Sequence, residues 1–151
     1  HHHLLLGLQG LQKGATSEEV MMASKMSKSD PKSCIYMHES TAEIIKKVES
    51  AYCPPQQEEG NPLLEYCKHI IFRSVKEVPV ERAAKFGGDV TFGSYDELRN
   101  AYVRGTLHPA DFKKTVADQL DNLIQPVRSY FEKNKKAREL YEQVKSFRVT
   151  R

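Results

Sequence analysis

The sequence predicts a mainly α-helical protein, in which a short strand-like first segment precedes a bundle of about five helices. From residue 40 onward, apolar residues recur three and four positions apart, which is the spacing of one helix face. Helix-start signals also recur along this part, at Ser40, Asn61-Pro62, Ser94 and Pro109. We therefore expect residues 1–39 to end one domain and residues 40–151 to form a second, helical one.

The first segment has the pattern of a strand end. Leu4 to Leu8 is a short apolar run with Gly7 inside it and Gly10 after it, which is typical of the end of a buried parallel strand. A buried strand needs neighbours on both sides, so we expect part of this domain to lie outside the sequence. His1 to His3 are either the end of an affinity tag or a native strand end, and we assign them no metal or catalytic role.

A lysine- and serine-rich pentapeptide, Lys25-Met26-Ser27-Lys28-Ser29, carries two ammonium and two hydroxyl groups on one short turn. Such a loop suits the phosphates of a nucleotide, because mobile ammonium groups stabilise charge that develops on departing phosphate in the transition state. The alternative is an exposed polar turn whose charges serve solubility. We expect a short helix before the loop, opening at residues 17–19, and a short strand or extended segment after it, from Cys34 to Met37.

The helical part follows from local signals. Ser40 to Glu43 forms a capping-box pattern, and the helix that it opens ends at Cys53-Pro54-Pro55. Asn61 and Pro62 supply the N-cap and first position of the next helix. Residues 78–93 lack helical periodicity and contain two glycine turn signals, so we expect a small hairpin or an irregular excursion.

The remaining helices are longer. The helix that opens at Ser94 ends near Gly105, and the longest starts at Pro109. The latter carries one continuous apolar stripe, made of Phe112, Val116, Leu120, Leu123, Val127 and Phe131. Pro126 lies in that stripe and is expected to kink or break the helix. A last, basic helix spans residues 134–147, and we expect its inner face to be Leu140, Val144 and Phe147.

Composition narrows the functional classes only partly. The net charge is +3, but the segment from residue 127 to 151 holds eight Lys or Arg and three Glu, and so carries +5. This basic segment, with Arg128, Lys133, Lys135, Lys136 and Arg138, either steers a nucleic-acid backbone or is a solvated helix face. The three cysteines have no metal-ligand spacing and favour a reducing, cytoplasmic setting. No apolar run approaches the ~20 residues of a membrane span, and no signal peptide is visible.

A series of short patches resembles one known family. In chain order they are Gly7 to Gly10, Lys25 to Ser29, Ala51 to Pro54, Glu59 to Pro62, Lys85 to Asp89, Ser94 to Leu98, Leu107 to Asp111 and Gln125 to Arg128. The series resembles the C-terminal half of tyrosyl-tRNA synthetases of the archaeal and eukaryotic type, class I enzymes whose nearest relatives charge tryptophan. The resemblance covers nearly the whole chain. One departure is the longer interval between Gly10 and Lys25. The other is the absence of the upstream HxGH-type motif and the tyrosine-recognition residues.

The resemblance implies an architecture and a set of partners. Residues 1–39 would be the remnant of a Rossmann-type catalytic domain with its KMSKS loop, and residues 40–151 a helical anticodon-binding domain. The whole enzyme would activate tyrosine with ATP, accompanied by Mg²⁺, and charge tRNA(Tyr). It would act as a homodimer or pseudo-dimer in the cytoplasm, without a membrane or a protein metal site. This chain, without the N-terminal catalytic half, is expected to be inactive alone.

The resemblance also implies site residues. Lys25 and Lys28 would be catalytic, and the ATP-binding set would comprise Gly7, Leu8, Lys25, Met26, Ser27, Lys28 and Ser29. The tRNA anticodon would contact Phe86, His108 and Asp111. A carboxylate accepts hydrogen bonds from N1 and N2 of guanine, and an aromatic ring stacks on that base. The alternatives are a tight turn at Gly7-Leu8, and a core phenylalanine, an N-cap histidine and an aspartate matched to the helix dipole.

Two other functional classes remain open from the sequence. One is a non-catalytic RNA-binding module that reuses the synthetase fold, and a native mass far above 17.3 kDa would argue against it. The other is a helical protein-interaction scaffold, which would show no guanine-dependent RNA binding.

Overall fold

The computed structural model describes residues 3–11, 24–27 and 30–147 of the protein, and this part is mainly helical. The helices are α1 (Thr41–Ser50), α2 (Pro62–Tyr66), α3 (Phe72–Ser74), α4 (Tyr95–Val103), α5 (Pro109–Lys133) and α6 (Lys135–Ser146). A π-helical stretch, Cys67–Ile71, joins α2 to α3, and a 3-10 turn spans Ala84–Phe86. Strands β1 (Val78–Val80) and β2 (Val90–Phe92) pair in antiparallel register, which confirms a small hairpin in the 78–93 region.

Side-chain caps confirm the predicted helix starts. The Ser40 hydroxyl accepts a hydrogen bond from the Glu43 amide, and the Glu43 carboxylate accepts one from the Ser40 amide, completing the capping box before α1. The buried Asn61 side chain accepts from the Leu63 amide at 3.0 Å and so caps α2. Asn134 caps α6 in the same way. Each cap satisfies an amide that the first helical turn leaves without a partner.

The core is built around α5. Six of its side chains are buried, namely Phe112, Thr115, Val116, Ala117, Leu120 and Ile124. Tyr66 and Tyr102 are fully buried, as expected of core residues. The Tyr102 ring lies 4.9 Å from the Phe112 ring, and its hydroxyl donates to the Pro54 carbonyl at 2.7 Å. Tyr102 therefore ties the loop that follows α1 to the core.

The expected inner face of the last helix is wrong. Leu140, Val144 and Phe147 are 52%, 64% and 71% exposed. Helix α6 instead turns its half-buried Tyr141 inward, and that ring packs 5.5 Å from the ring of Phe131 on α5. Adjacent positions differ by about 100° around a helix, so choosing Tyr141 for the contact turns Leu140 outward.

Three further expectations can be compared with the structure. Helix α5 does not break at Pro126 but continues to Lys133. The proline is exposed, so water can satisfy the carbonyl that lacks its helical partner. The segment from Cys34 to Met37 forms no strand: Cys34 lies in a bend, Ile35 and Tyr36 have no regular structure, and Met37 lies in a turn. Leu6 lies in an isolated antiparallel bridge with Lys25, because the chain returns beside it at residues 24–26. The short helix expected at residues 17–19 lies outside the described residues.

None of the helices in the described ranges combines the length and the apolar character that crossing a bilayer requires.

Candidate functional site

The base of the lysine–serine loop is held by the first segment. The Gly7 amide donates to the Ser24 carbonyl at 2.7 Å, and the Met26 amide donates to the Leu5 carbonyl at 3.5 Å. A Cβ atom at Gly7 would lie 3.1 Å from the Ser24 carbonyl oxygen and 3.2 Å from that of Ser33. Glycine at this position therefore lets the segment that enters the loop and the one that leaves it approach the same backbone.

Ser33 closes the loop, and sequence reasoning missed it. Its side chain is buried, and its hydroxyl oxygen accepts from the Ser27 amide at 2.9 Å. The same oxygen lies 2.7 Å from the Asp30 carbonyl oxygen, to which it can donate. The Asp30 amide also donates to the Ser27 carbonyl at 3.2 Å. A serine three positions after the aspartate of an Asp-Pro pair was the available signal, because such hydroxyls often bond nearby backbone. Lys28 and Ser29 lie outside the described residues.

Lys25 and Met26, two neighbouring residues of the pentapeptide, have different surroundings. Lys25 is exposed and makes no ion pair within the described ranges. Met26 lines an apolar cavity of about 300 Å³ together with Tyr66, Leu120 and Ile124. Methionine thus packs the loop base beside α5, while the lysine ammonium remains available to an anion.

Gly7 and Leu8 have little hydrogen-bonding capacity left. The Gly7 amide bonds Ser24, and the Leu8 amide donates to the Ser33 carbonyl at 2.9 Å. Their carbonyls accept from Gly10 and Tyr52, and each carbonyl oxygen keeps a second lone pair. A nucleotide base beside these residues would therefore meet acceptors and packing surface, but no amide donor.

The second candidate site surrounds the start of α5. His108 is the N-cap, and its Nδ1 atom accepts from the Ala110 amide at 3.1 Å. An accepting Nδ1 leaves the proton of the neutral ring on Nε2, which becomes a donor on an exposed residue. Asp111 lies in the first turn of α5, as predicted, and is partly exposed. Within the described ranges its carboxylate has neither a hydrogen-bond donor nor a cation as partner.

Phe86 is not a core residue, so that alternative is wrong. It is 62% exposed at the end of the 3-10 turn. Gly87 and Gly88 follow with φ of 97° and 70°, a conformation that favours glycine. The Lys85 ammonium lies 4.9 Å from the centre of the Phe86 ring. The turn therefore presents an aromatic ring beside a cation, which suits stacking on a base.

Three loops meet near the start of α5, and sequence reasoning missed the residues that join them. The Arg82 guanidinium donates to the Gly88 carbonyl and to the Thr106 carbonyl, each at 2.9 Å. The Gln56 side chain lies against Gly105, where any added side chain would collide with it. The turn that carries Phe86 is thus bonded to the loop that leads into His108 and Asp111.

The loop between α1 and α2 is held by a charged pair. Glu58 forms a salt bridge with Arg99 on α4, and this hydrogen bond lowers the pKa of Glu58 below its ordinary value. The Tyr95 hydroxyl donates to Glu58 at 3.4 Å. Burial, with a smaller contribution from the Glu58 charge, raises the pKa of Tyr95 to about 12.

Glu58→Gln is expected to lower stability at neutral pH and to make little difference in acid. A lowered pKa means that the folded state binds fewer protons than the unfolded state, so the stabilisation is present above the ordinary value of 4.5 and is lost as pH falls below it. Urea unfolding of the unaltered chain and the variant from pH 7 to pH 3 measures the difference in their free energies of unfolding. Glu59→Gln, at the exposed neighbour, is the control. A stability difference between Glu58→Gln and the unaltered chain that stays constant with pH would contradict the role given to the Glu58 carboxylate.

The basic residues of the C-terminal segment differ in exposure. The Arg128 side chain is 15% exposed and bonds the Asp121 carboxylate at 2.6 Å and the Glu39 carbonyl at 3.0 Å. It therefore fastens α5 to the residues that precede α1. Lys133, Lys135, Lys136 and Arg138 are exposed. In the described ranges, no group of three or more His, Cys, Asp or Glu side chains is arranged to hold a metal ion.

Comparison with known proteins gives one family. The family model for class I tRNA synthetases of the W and Y type matches residues 18–125, and so crosses residue 40, where a domain boundary was expected. This match concerns the synthetase region and does not by itself assign the chain to a C-terminal half. Tyrosine–tRNA ligase 2, cytoplasmic, of Arabidopsis thaliana is 46% identical over 99% of this chain and 19% of its own length. Tyrosine–tRNA ligase of Pyrococcus horikoshii is 44% identical over 96% of this chain and 40% of its own.

Solved structures agree with these relatives. The crystal structure of the Pyrococcus horikoshii tyrosyl-tRNA synthetase, complexed with L-tyrosine, matches with a TM-score of 0.81 at 45% identity, over 95% of this chain and 40% of that one. The Aeropyrum pernix tyrosyl-tRNA synthetase matches with a TM-score of 0.78 at 30% identity, over 97% and 39%. The chain thus spans 40% or less of the length of these relatives. It belongs to the W and Y family of class I tRNA synthetases, where its relatives are tyrosine–tRNA ligases.

Proposed function

We propose that this chain is the C-terminal part of a cytoplasmic tyrosine–tRNA ligase and supplies two sites to it. Residues 1–39 end the catalytic domain with its ATP-phosphate loop, and residues 40–151 form the helical domain that binds the anticodon. The C-terminal placement rests on motif order, since the lysine–serine loop precedes the helices. Mg²⁺ would accompany the ATP phosphates, and assembly as a homodimer or pseudo-dimer belongs to the same proposal.

The observation that carries the proposal is an exposed ring on a turn bonded to the loop that leads into Asp111, whose carboxylate has no partner among the described residues. Phe86 is 62% exposed on a turn that is bonded to the loop before α5. Asp111, in the first turn of α5, has no partner within the described ranges. A guanine stacked on the ring would offer its N1 and N2 donors to the carboxylate. The His108 Nε2 donor would bond an acceptor of the same nucleotide.

The loop supports the nucleotide half of the proposal. Lys25 is exposed, while the backbone on both sides of the loop is fixed by Gly7 and Ser33. Lys25 and Lys28 would hold their ammonium groups against the negative charge that ATP develops on its departing pyrophosphate. Ser27 and Ser29 would bond phosphate oxygens. A fixed base would allow the loop to close without rebuilding its anchor.

The proposal predicts preferential binding of guanine. The chain is expected to bind an anticodon stem-loop with guanine at the first anticodon position more tightly than the same loop with cytosine. Phe86→Ala should weaken the guanine complex by about 1–3 kcal/mol, because it removes one stacking surface. Fluorescence anisotropy with both loops at one fixed salt concentration measures the two affinities.

Val103→Ala is the control for that measurement, because Val103 is also exposed but lies on α4. It should leave both affinities unchanged. Equal, salt-sensitive binding of the guanine and cytosine loops by the unaltered chain would reduce the site to a basic surface and defeat the proposal.

A further inference from the structure

Arg82 makes three hydrogen bonds, two within the Phe86 turn and one to the neighbouring loop. Its backbone amide donates to the Asp89 carboxylate at 2.9 Å, and its guanidinium donates to the Gly88 carbonyl at the same distance. Its second guanidinium nitrogen donates to the Thr106 carbonyl, also at 2.9 Å. One residue therefore closes the turn and attaches it to the neighbouring loop.

One other attachment lies nearby, an ion pair between the exposed side chains of Glu81 and Lys114 on α5, but it does not reach the Phe86 turn itself or the loop before α5. The other backbone bonds of the turn, from the Phe86, Gly87 and Gly88 amides, end on Ala83 and Ala84 within the turn itself. Within the described part of the chain, the bond from Arg82 to Thr106 is the hydrogen bond that joins the turn to the loop before α5. Phe86 is too exposed for core packing to fix its position.

We propose that Arg82 is a positioning residue for guanine recognition: its guanidinium sets the distance between the Phe86 ring and the Asp111 carboxylate. The inference rests on the function proposed above. A ring can stack on a base while a carboxylate bonds the edge of that base only if the two are held in register. Arginine suits the task better than lysine, because its planar fork can donate to two carbonyls at fixed angles.

The test uses Arg82→Met, which keeps most of the stem but removes the donors, and Arg82→Lys, which keeps the charge. Affinities for the guanine and cytosine stem-loops are measured for each. We expect Arg82→Met to reduce the guanine-to-cytosine affinity ratio by about tenfold, a share of the stacking contribution. Arg82→Lys should fall between it and the unaltered chain. Arg104→Met is the matched charge control, because Arg104 is exposed in the adjoining loop, and it should lower both affinities together.

Either of two results with Arg82→Met would overturn the assignment. One is a guanine-to-cytosine ratio in Arg82→Met equal to that of the unaltered chain. The other is an equal loss for both loops, as in Arg104→Met, which would make Arg82 a phosphate contact. If Arg82→Met does not fold, a full guanine preference in Arg82→Lys overturns it as well. Absence of any preference in the unaltered chain is a different result, since it removes the proposed function itself.

Discussion

Replacing Asp111 by asparagine is expected to lower the affinity for a guanine-bearing stem-loop by about 10- to 150-fold and to abolish the preference over cytosine. Hydrogen bonds to a charged group contribute about 1.5–3 kcal/mol each. Asparagine keeps the size of the side chain, but it replaces an accepting oxygen by a donor that faces the donors of guanine. Isothermal titration with the guanine and cytosine loops measures both effects.

An inosine loop sharpens this test, because inosine lacks the N2 amino group of guanine. The unaltered chain should bind inosine less tightly than guanine, while Asp111→Asn should bind the two alike. Asp118→Asn, an exposed carboxylate on the same helix, is the control and should change neither affinity. Asp111 also matches the helix dipole, which is worth about 0.3–1 kcal/mol of stability. If Asp111→Asn only lowered the melting temperature and kept guanine recognition, the dipole would be its whole role.

Replacing Phe112 by alanine is expected to cost about 3–5 kcal/mol of folding free energy. The side chain is fully buried and its ring packs 4.9 Å from Tyr102, so alanine leaves a cavity next to a ring that cannot collapse into it. Domains are typically stable by only about 5–15 kcal/mol, and the variant should unfold at a much lower urea concentration. Circular dichroism along a urea titration measures the loss.

Phe86→Ala supplies the matched control, since it makes the same chemical change on the surface. It should alter stability by no more than about 0.5 kcal/mol. A similar loss in the two variants would contradict the exposed position of Phe86. The contrast also indicates the role of Phe86. A large exposed ring that contributes little to stability is unfavourable on a surface turn unless something stacks on it.

Much of the fold could be predicted because its signals are local. Capping residues such as Ser40 and Asn61 act within three positions of themselves, so their patterns identify helix starts without knowledge of the tertiary structure. The rotation of α6 could not be predicted in this way. Leu140 and Tyr141 are both suitable for burial, and the choice between them depends on where α5 places Phe131.

The residues of the candidate sites show the same difference between local signals and distant contacts. Residues that would touch a ligand, such as Asp111 and Lys25, carry recognisable chemistry within short motifs. Residues that hold those motifs in place do not, because their partners are distant in sequence or are backbone atoms. The Arg82 bond to Thr106 spans 24 positions, and Ser33 acts through carbonyl and amide groups that every residue possesses.

Helix α5 sets the spacing between the two sites. Asp111 lies in its first turn, and Leu120 and Ile124, which line the cavity beside Met26, lie two to four turns further on, about 14–20 Å along the axis. A continuous helix is rigid along its axis. Ligand binding at one site can therefore affect the other only if α5 tilts or slides as a whole. One residue inserted between Asp111 and Leu120 would shift the sites by about 1.5 Å and turn them by about 100° relative to each other. Loops such as the Phe86 turn can change length without altering the spacing between the two sites, whereas this stretch of α5 cannot.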